Sequence, residues 1–216
     1  VHRRPAAASA ERLSHLASCA ETRGVRFEAV QADLADLTSI PPVFEASARM
    51  NGCTILVNAA SIFIRGPILE LSDERLHELT MTNLAAPGAC CREAIRQMRT
   101  RGRGTIVNII DVGGGVIPWK NGAAYCASRA GLAMLTQCLA LELAPMIRVN
   151  ALAVGLTELS PEAGQPDAPA LTNIPAGRAG KTREIVHAFM GLIDPAAALT
   201  GQILAADGGR SLRRTM

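Results

Sequence analysis

Tyr125 and Arg129 lie four residues apart in a stretch whose apolar spacing predicts a helix over 124–143. A phenol and a guanidinium therefore leave one helix face a single turn apart. A free phenol, with a pKa of about 10, is a poor acid or base at neutral pH. A fixed cation beside it stabilises the phenolate and draws it toward useful proton exchange. The same spacing is also met as an ordinary surface pair, so the surroundings must decide between the two readings. Metal chemistry has no such nucleus. The six cysteines form no C-x-x-C pair, and the four histidines show no helical or hairpin ligand spacing.

The elements that must carry the pair follow from apolar patterning, in which strand-length apolar runs alternate with amphipathic stretches of helix length. Helices are predicted over 8–22, ended by Gly24, and over 37–50. A further helix opens at Ser72, with Asp73 and Glu74 in its first turn, and runs to about Thr100 with a bend at Pro87. The last helix is expected over 182–193. Strands are predicted over 25–30, 54–58, 105–110, 147–153 and 202–205. The Pro-, Gly- and Ala-rich stretch 155–180 reads as a substrate loop outside the strand ends. This alternation implies an α/β, three-layer, doubly wound and mainly parallel sheet in one domain, 1–216.

Composition narrows the partners. Apolar residues make up 49% of the 216-residue chain and aromatics only 3%, which suits a core of Ala, Val, Ile and Leu between sheet and helices. Twenty-two Lys and Arg against nineteen Asp and Glu leave +3, too little to imply binding to nucleic acid or a membrane surface. No run approaches the roughly 18 to 20 apolar residues of a membrane span. The expectation is a cytoplasmic protein with reduced thiols.

From Val25 onward the motifs, in order, resemble those of the short-chain dehydrogenase/reductase family. Leu56-Val57-Asn58-Ala59-Ala60-Ser61 is similar to its L-V-N-N-A-G segment, and Thr82-Asn83-Leu84 to the turn bearing its helix asparagine. Tyr125-Cys126-Ala127-Ser128-Arg129 resembles Y-x-A-S-K, with Arg129 in place of lysine. Arg148 to Gly155 resembles R-V-N-A-V-A-P-G, and Thr200-Gly201-Gln202 through Asp207-Gly208-Gly209 the closing T-G-Q-x-x-x-V-D-G-G. Asp111 where serine is usual, Asn58 to Phe63, Pro118-Trp119-Lys120 and Gly208 to Leu212 look most like bacterial pteridine reductases.

The resemblance implies an NADP(H)-dependent oxidoreductase in which hydride passes to a C=O or C=N carbon, of a pteridine or another small molecule, while Tyr125 gives a proton. Arg129 would support the phenolate and hold the nicotinamide ribose, and Asn83 would support a water-borne proton path. Asp111 would either hold the tyrosine and a substrate nitrogen or cap its own loop, with the glycine run Gly113-Gly114-Gly115 inserting one residue before the tyrosine. Asn58, Ala59, Ala60, Ser61 and Gly155 would line the cofactor. The two asparagines could equally be buried hydrogen-bonding residues. Asp33 would meet adenine or cap a helix. His2, Arg3 and Arg4 resemble the basic turn that takes the 2′-phosphate of NADP, where an NAD-preferring member carries an acid. A homodimer or homotetramer through the two long helices is implied as well.

The glycine-rich phosphate turn of such folds is not found ahead of Val25. The expectation is therefore a chain that lacks its first strand and cradle and binds NADPH weakly. The competing reading, motivated by Ala59, Arg129, Val154 and that turn, is a folded but non-catalytic homologue.

Overall fold

The protein is described by a computed structural model over residues 6–160 and 169–212. The predicted basic turn His2, Arg3 and Arg4 lies outside these residues. Four strands, β1 (Ile55–Asn58), β2 (Gly104–Asp111), β3 (Ile147–Val154) and β4 (Ile203–Ala206), form one sheet in that order. Every pairing is parallel, with Leu56 opposite Ile106, Val107 opposite Asn150 and Ala153 opposite Ala205. Parallel strands need crossovers, and helices Ala86–Arg101, Ala123–Leu143 and Thr182–Ile193 supply them.

The two central strands are buried on both faces, which is why β2 and β3 read as continuous apolar runs rather than alternating ones. On one face Ile106 and Val149 pack with Ala86, Ala94 and Met98 of one helix and Ala140 and Leu143 of the next. Toward the carboxyl end of the same face, Ile110, Ala151 and Ala153 meet Leu132 and Ala133. On the other face Val107 and Leu152 pack against Leu192. The result is the three-layer α/β architecture the alternation implied.

Three expectations need correction. Residues 25–30 form no strand among the described residues; Val25 is 57% and Phe27 41% exposed. A strand is held by a ladder neighbour, and none of the four strands pairs with this segment, so its apolar run alone does not make one. The helix predicted over 37–50 begins as a 3-10 turn at Leu37–Ser39 and becomes α-helical at Ile40–Arg49, because Pro41 and Pro42 fit only a first turn that needs no N–H. The long helix from Ser72 is divided: an α segment Asp73–Thr80, a π-helical turn Met81–Ala85, and the segment Ala86–Arg101. Pro87 cannot donate to the carbonyl of Asn83, and the widened turn accommodates the missing bond. Ser72 caps the first segment as its type predicts, accepting from the backbone N–H of Arg75.

The region 155–180 is pinned at its base. Thr157 bridges Gly180, and the Glu158 carboxylate accepts 2.8 Å hydrogen bonds from both the backbone and the hydroxyl of Thr182. Among the described residues no helix is long and apolar enough to cross a membrane.

Candidate active site

Because all four strands run the same way, their carboxyl ends share one edge of the sheet, and there the motif residues collect: Asn58 ends β1, Asp111 ends β2, Gly155 follows β3 and Asp207 follows β4. Ligands of open α/β sheets bind at this edge. Tyr125 enters from the first turn of helix Ala123–Leu143, with Arg129 one turn behind it.

The pair is buried, Tyr125 to 3% and Arg129 to 4% exposure, which excludes the surface-pair reading. The Tyr125 hydroxyl donates to Oδ2 of Asp111 at 3.1 Å. The guanidinium carbon of Arg129 lies 5.3 Å from the centre of the phenol ring. Arg129 Nη2 donates to the Ser61 hydroxyl, while Nε and Nη1 are buried with no acceptor. Such groups are rare in folded proteins, since an unpaired buried donor forfeits its hydration.

The electrostatics depart from the expectation that the cation leaves the phenol unusually acidic. Burial raises the Tyr125 pKa above its ordinary value; Arg129 lowers it, Asp111 raises it, and the net direction is up. Burial likewise raises the carboxyl of Asp111, opposed by hydrogen bonds from the Gly113 N–H and Tyr125 and by the charges of Arg129 and Arg210. The phenol is thus a protonated donor at neutral pH rather than a phenolate.

The glycine run does not disturb this geometry. Asp111 Oδ1 accepts from the Gly113 N–H at 3.0 Å, so the residue both caps its loop and meets the tyrosine. A Cβ on Gly113 would stand 2.3 Å from the Trp119 ring, and one on Gly114, at φ +81°, 2.4 Å from the Cys126 backbone. Both positions therefore require glycine if Trp119 and the tyrosine helix are to close on the loop.

The asparagines are engaged with protein. Asn83 is fully buried; its Oδ1 accepts from the backbone N–H of Ile62, and its Nδ2 donates to the Ile62 carbonyl and the Ser128 hydroxyl. The amide oxygen and one amide hydrogen hold residue 62, beside Ser61 and Phe63, and the other hydrogen is spent on Ser128. Asn58 Nδ2 donates to Asn108 at 2.8 Å, and Asn108 in turn to Thr136. Ala59, Ala60 and Ser61 continue from β1 toward Arg129, whereas Asp33 accepts from the Ala35 N–H in a turn of its own. The site thus unites Ser61, Asp111, Tyr125 and Arg129, with Asn83 behind them.

Phe63 and Trp119 entered the sequence reading only as parts of motifs, without a role as walls of the site. Phe63 stands edge-on to Tyr125 at 4.8 Å, and Trp119 lies nearly parallel to Tyr125, 15° apart at 6.1 Å. In a chain with so few aromatics, three that fall beside motif residues were the signal available.

The comparisons agree with the geometry. A family model described as enoyl-(acyl carrier protein) reductase matches residues 6–211. The 3beta-hydroxysteroid dehydrogenase 1 of Eggerthella lenta is 37% identical over 201 residues, 89% of this chain and 77% of its own. Carbonyl reductase family member 4 of Danio rerio is 36% identical over 83% of this chain and 76% of its own. A gluconate 5-dehydrogenase of Burkholderia cenocepacia, solved with NADP and tartrate, superposes with a TM-score of 0.84 at 28% identity, covering 93% of this chain and 81% of that one.

Proposed function

The chain belongs to the short-chain dehydrogenase/reductase family of oxidoreductases, and on that premise we propose that it is an NADP(H)-dependent reductase of a small C=O or C=N compound with Tyr125 as general acid. The observation that carries this reading is the buried phenol, hydrogen-bonded to Asp111 and backed by Arg129.

A reduced nicotinamide, when bound, supplies the hydride. The residues present fit its ribose: Arg129 holds two buried donor nitrogens, Nε and Nη1, without acceptors beside the Ser61 hydroxyl, and sugar hydroxyls are acceptors of that kind. Asn58, Ala59, Ala60 and Gly155 would line the same edge. Asp33 toward adenine, and His2, Arg3 and Arg4 toward the 2′-phosphate, are proposed from the resemblance alone, as is the preference for NADP(H).

With substrate bound, the Tyr125 hydroxyl turns its one hydrogen from Asp111 to the substrate oxygen or nitrogen and gives up that proton as negative charge develops there. The phenolate left behind faces the Arg129 guanidinium, which favours the charged form. Asp111 orients the hydroxyl, and Asn83 acts as a positioning residue by fixing Ile62. Phe63 and Trp119 offer flat apolar walls suited to a ring, a pteridine among them. A homodimer or homotetramer through helices Ala86–Arg101 and Ala123–Leu143 completes the proposal; Leu141 and Met134 stand exposed on the second of these.

Tyr125→Phe tests it. Oxidation of reduced nicotinamide by a panel of small ketones should fall by roughly 10²–10⁴-fold, the contribution of a positioned proton donor. Cofactor binding by fluorescence titration should change little. A variant that keeps most of its turnover would remove Tyr125 from the mechanism.

A further inference from the structure

Beyond the reductase chemistry, two cations at the site have no part in proton or hydride transfer. Arg65 follows β1 and Arg210 follows β4, yet each places its guanidinium carbon 5.7 Å from the centre of the Trp119 ring. That indole is the wall parallel to the Tyr125 phenol. Among the described residues neither arginine forms an ion pair with a carboxylate. Both are held in place. Arg65 Nη2 donates to the Lys120 carbonyl at 3.0 Å, and Arg210 stands on a turn whose backbone is gripped by the buried Asp207, which accepts from the N–H groups of Gly209 and Ser211. The charge of Arg210 is felt within the site itself, since it acts on Asp111.

Stacking on one indole satisfies the flat face of a guanidinium but not the N–H donors along its edge; of these Arg65 gives one to the Lys120 carbonyl, and the remaining edge donors match an oxyanion in two-pronged fashion. With Arg129 engaged at the phenol, Asp111 is the one carboxylate described at the catalytic hydroxyl, and it already accepts from Tyr125 and Gly113. The substrate is left to bring the missing negative charge. We infer that the substrate is a ring compound carrying, away from its reducible C=O or C=N carbon, an anionic oxygen group such as a carboxylate, which Arg65 and Arg210 take at the Trp119 end of the site. The inference rests on the reductase reading for the placement of the reacting carbon at Tyr125, and on the arginines alone for the anion.

Trp119 is the single tryptophan of the chain, so its fluorescence reports binding at this place without turnover. The test titrates 4-oxocyclohexanecarboxylate and its methyl ester into the wild-type protein and into the Arg65→Gln/Arg210→Gln double variant, with circular dichroism to confirm that the variant is folded. The acid should bind about tenfold tighter than the ester to the wild type, the order expected of charge-assisted hydrogen bonding. In the double variant the ratio should fall to about one and the dependence of acid binding on salt should weaken. Equal affinity in the wild type, a preference that survives in the double variant, or no binding of either compound would overturn the inference. Turnover separates it from the reductase reading. Tyr125-dependent reduction of the ester without any advantage for the acid leaves the reductase standing and removes the anion site. Preferential binding of the acid with no reduction of either does the reverse.

Discussion

At the scale of single residues, the phenol is governed by two opposed effects, and the larger is burial. Four-residue spacing made the meeting of Tyr125 and Arg129 legible in the sequence, because helix geometry alone brings such residues together. The sign of the shift was not legible, since burial and the carboxylate of Asp111 depend on tertiary packing. A raised phenol pKa keeps the acid form present at neutral pH and withdraws it only as pH rises through the raised value. Reduction should therefore hold its rate from neutral pH to about pH 9, while the reverse oxidation, which needs the phenolate, should be slow at neutrality and climb with pH. Asp111→Ser removes an anion that raises Tyr125, so the oxidation limb should move to lower pH. Steady-state rates in both directions across pH check this, and an unmoved limb would separate Asp111 from the phenol. Arg65 and Arg210 were legible only as residue types, because their meeting over Trp119 joins the loops after the first and last described strands.

Among the elements, the π-helical turn Met81–Ala85 shows how a local defect serves the site. Pro87 was readable as a bend, but only the fold shows that the widened turn carries Asn83 to the backbone of Ile62. Truncation in Asn83→Ala leaves an N–H and a carbonyl of residue 62 unpaired, which should destabilise the protein by about 1–3 kcal/mol. Urea unfolding should show this as a lower midpoint at unchanged slope, accompanied by lost turnover as Ser61 and Phe63 lose their anchor. An unshifted midpoint would contradict the positioning role. The segment 25–30 teaches the converse: apolar content suggested a strand, yet a strand exists only with a neighbour, and no property of six residues declares whether one is there. The glycine run was legible as a loop; that Gly113 makes room for an indole six residues later was not, since it depends on a side chain folding back.

Over the whole molecule, the parallel direction of the strands was the most legible feature, because parallel strands joined by helices leave apolar runs alternating with amphipathic stretches. Running the strands in parallel is also what brings four separate motifs to one edge. Assembly belongs to this scale. The groove between helices Ala86–Arg101 and Ala123–Leu143 is lined by Ile95, Leu135 and Leu139 together with Arg92, Arg96 and Glu142, a mixture of apolar and charged residues that suits a second copy of the chain. Light scattering should give the mass of a dimer or tetramer, and Leu139→Asp should lower it. A monomeric wild-type mass would contradict the proposed assembly.

The account turns on Tyr125 being held as a protonated donor, and the chain makes that directly measurable because it has one tyrosine. Tyrosinate absorbance followed against pH, with circular dichroism to mark the folded range, reports Tyr125 and nothing else. The prediction is that the folded protein is less than half ionised at a pH equal to the ordinary phenol value of about 10 and reaches half-ionisation only above that point or on unfolding. Half-ionisation well below that value in the folded protein would mean that the cation outweighs burial and would contradict the account.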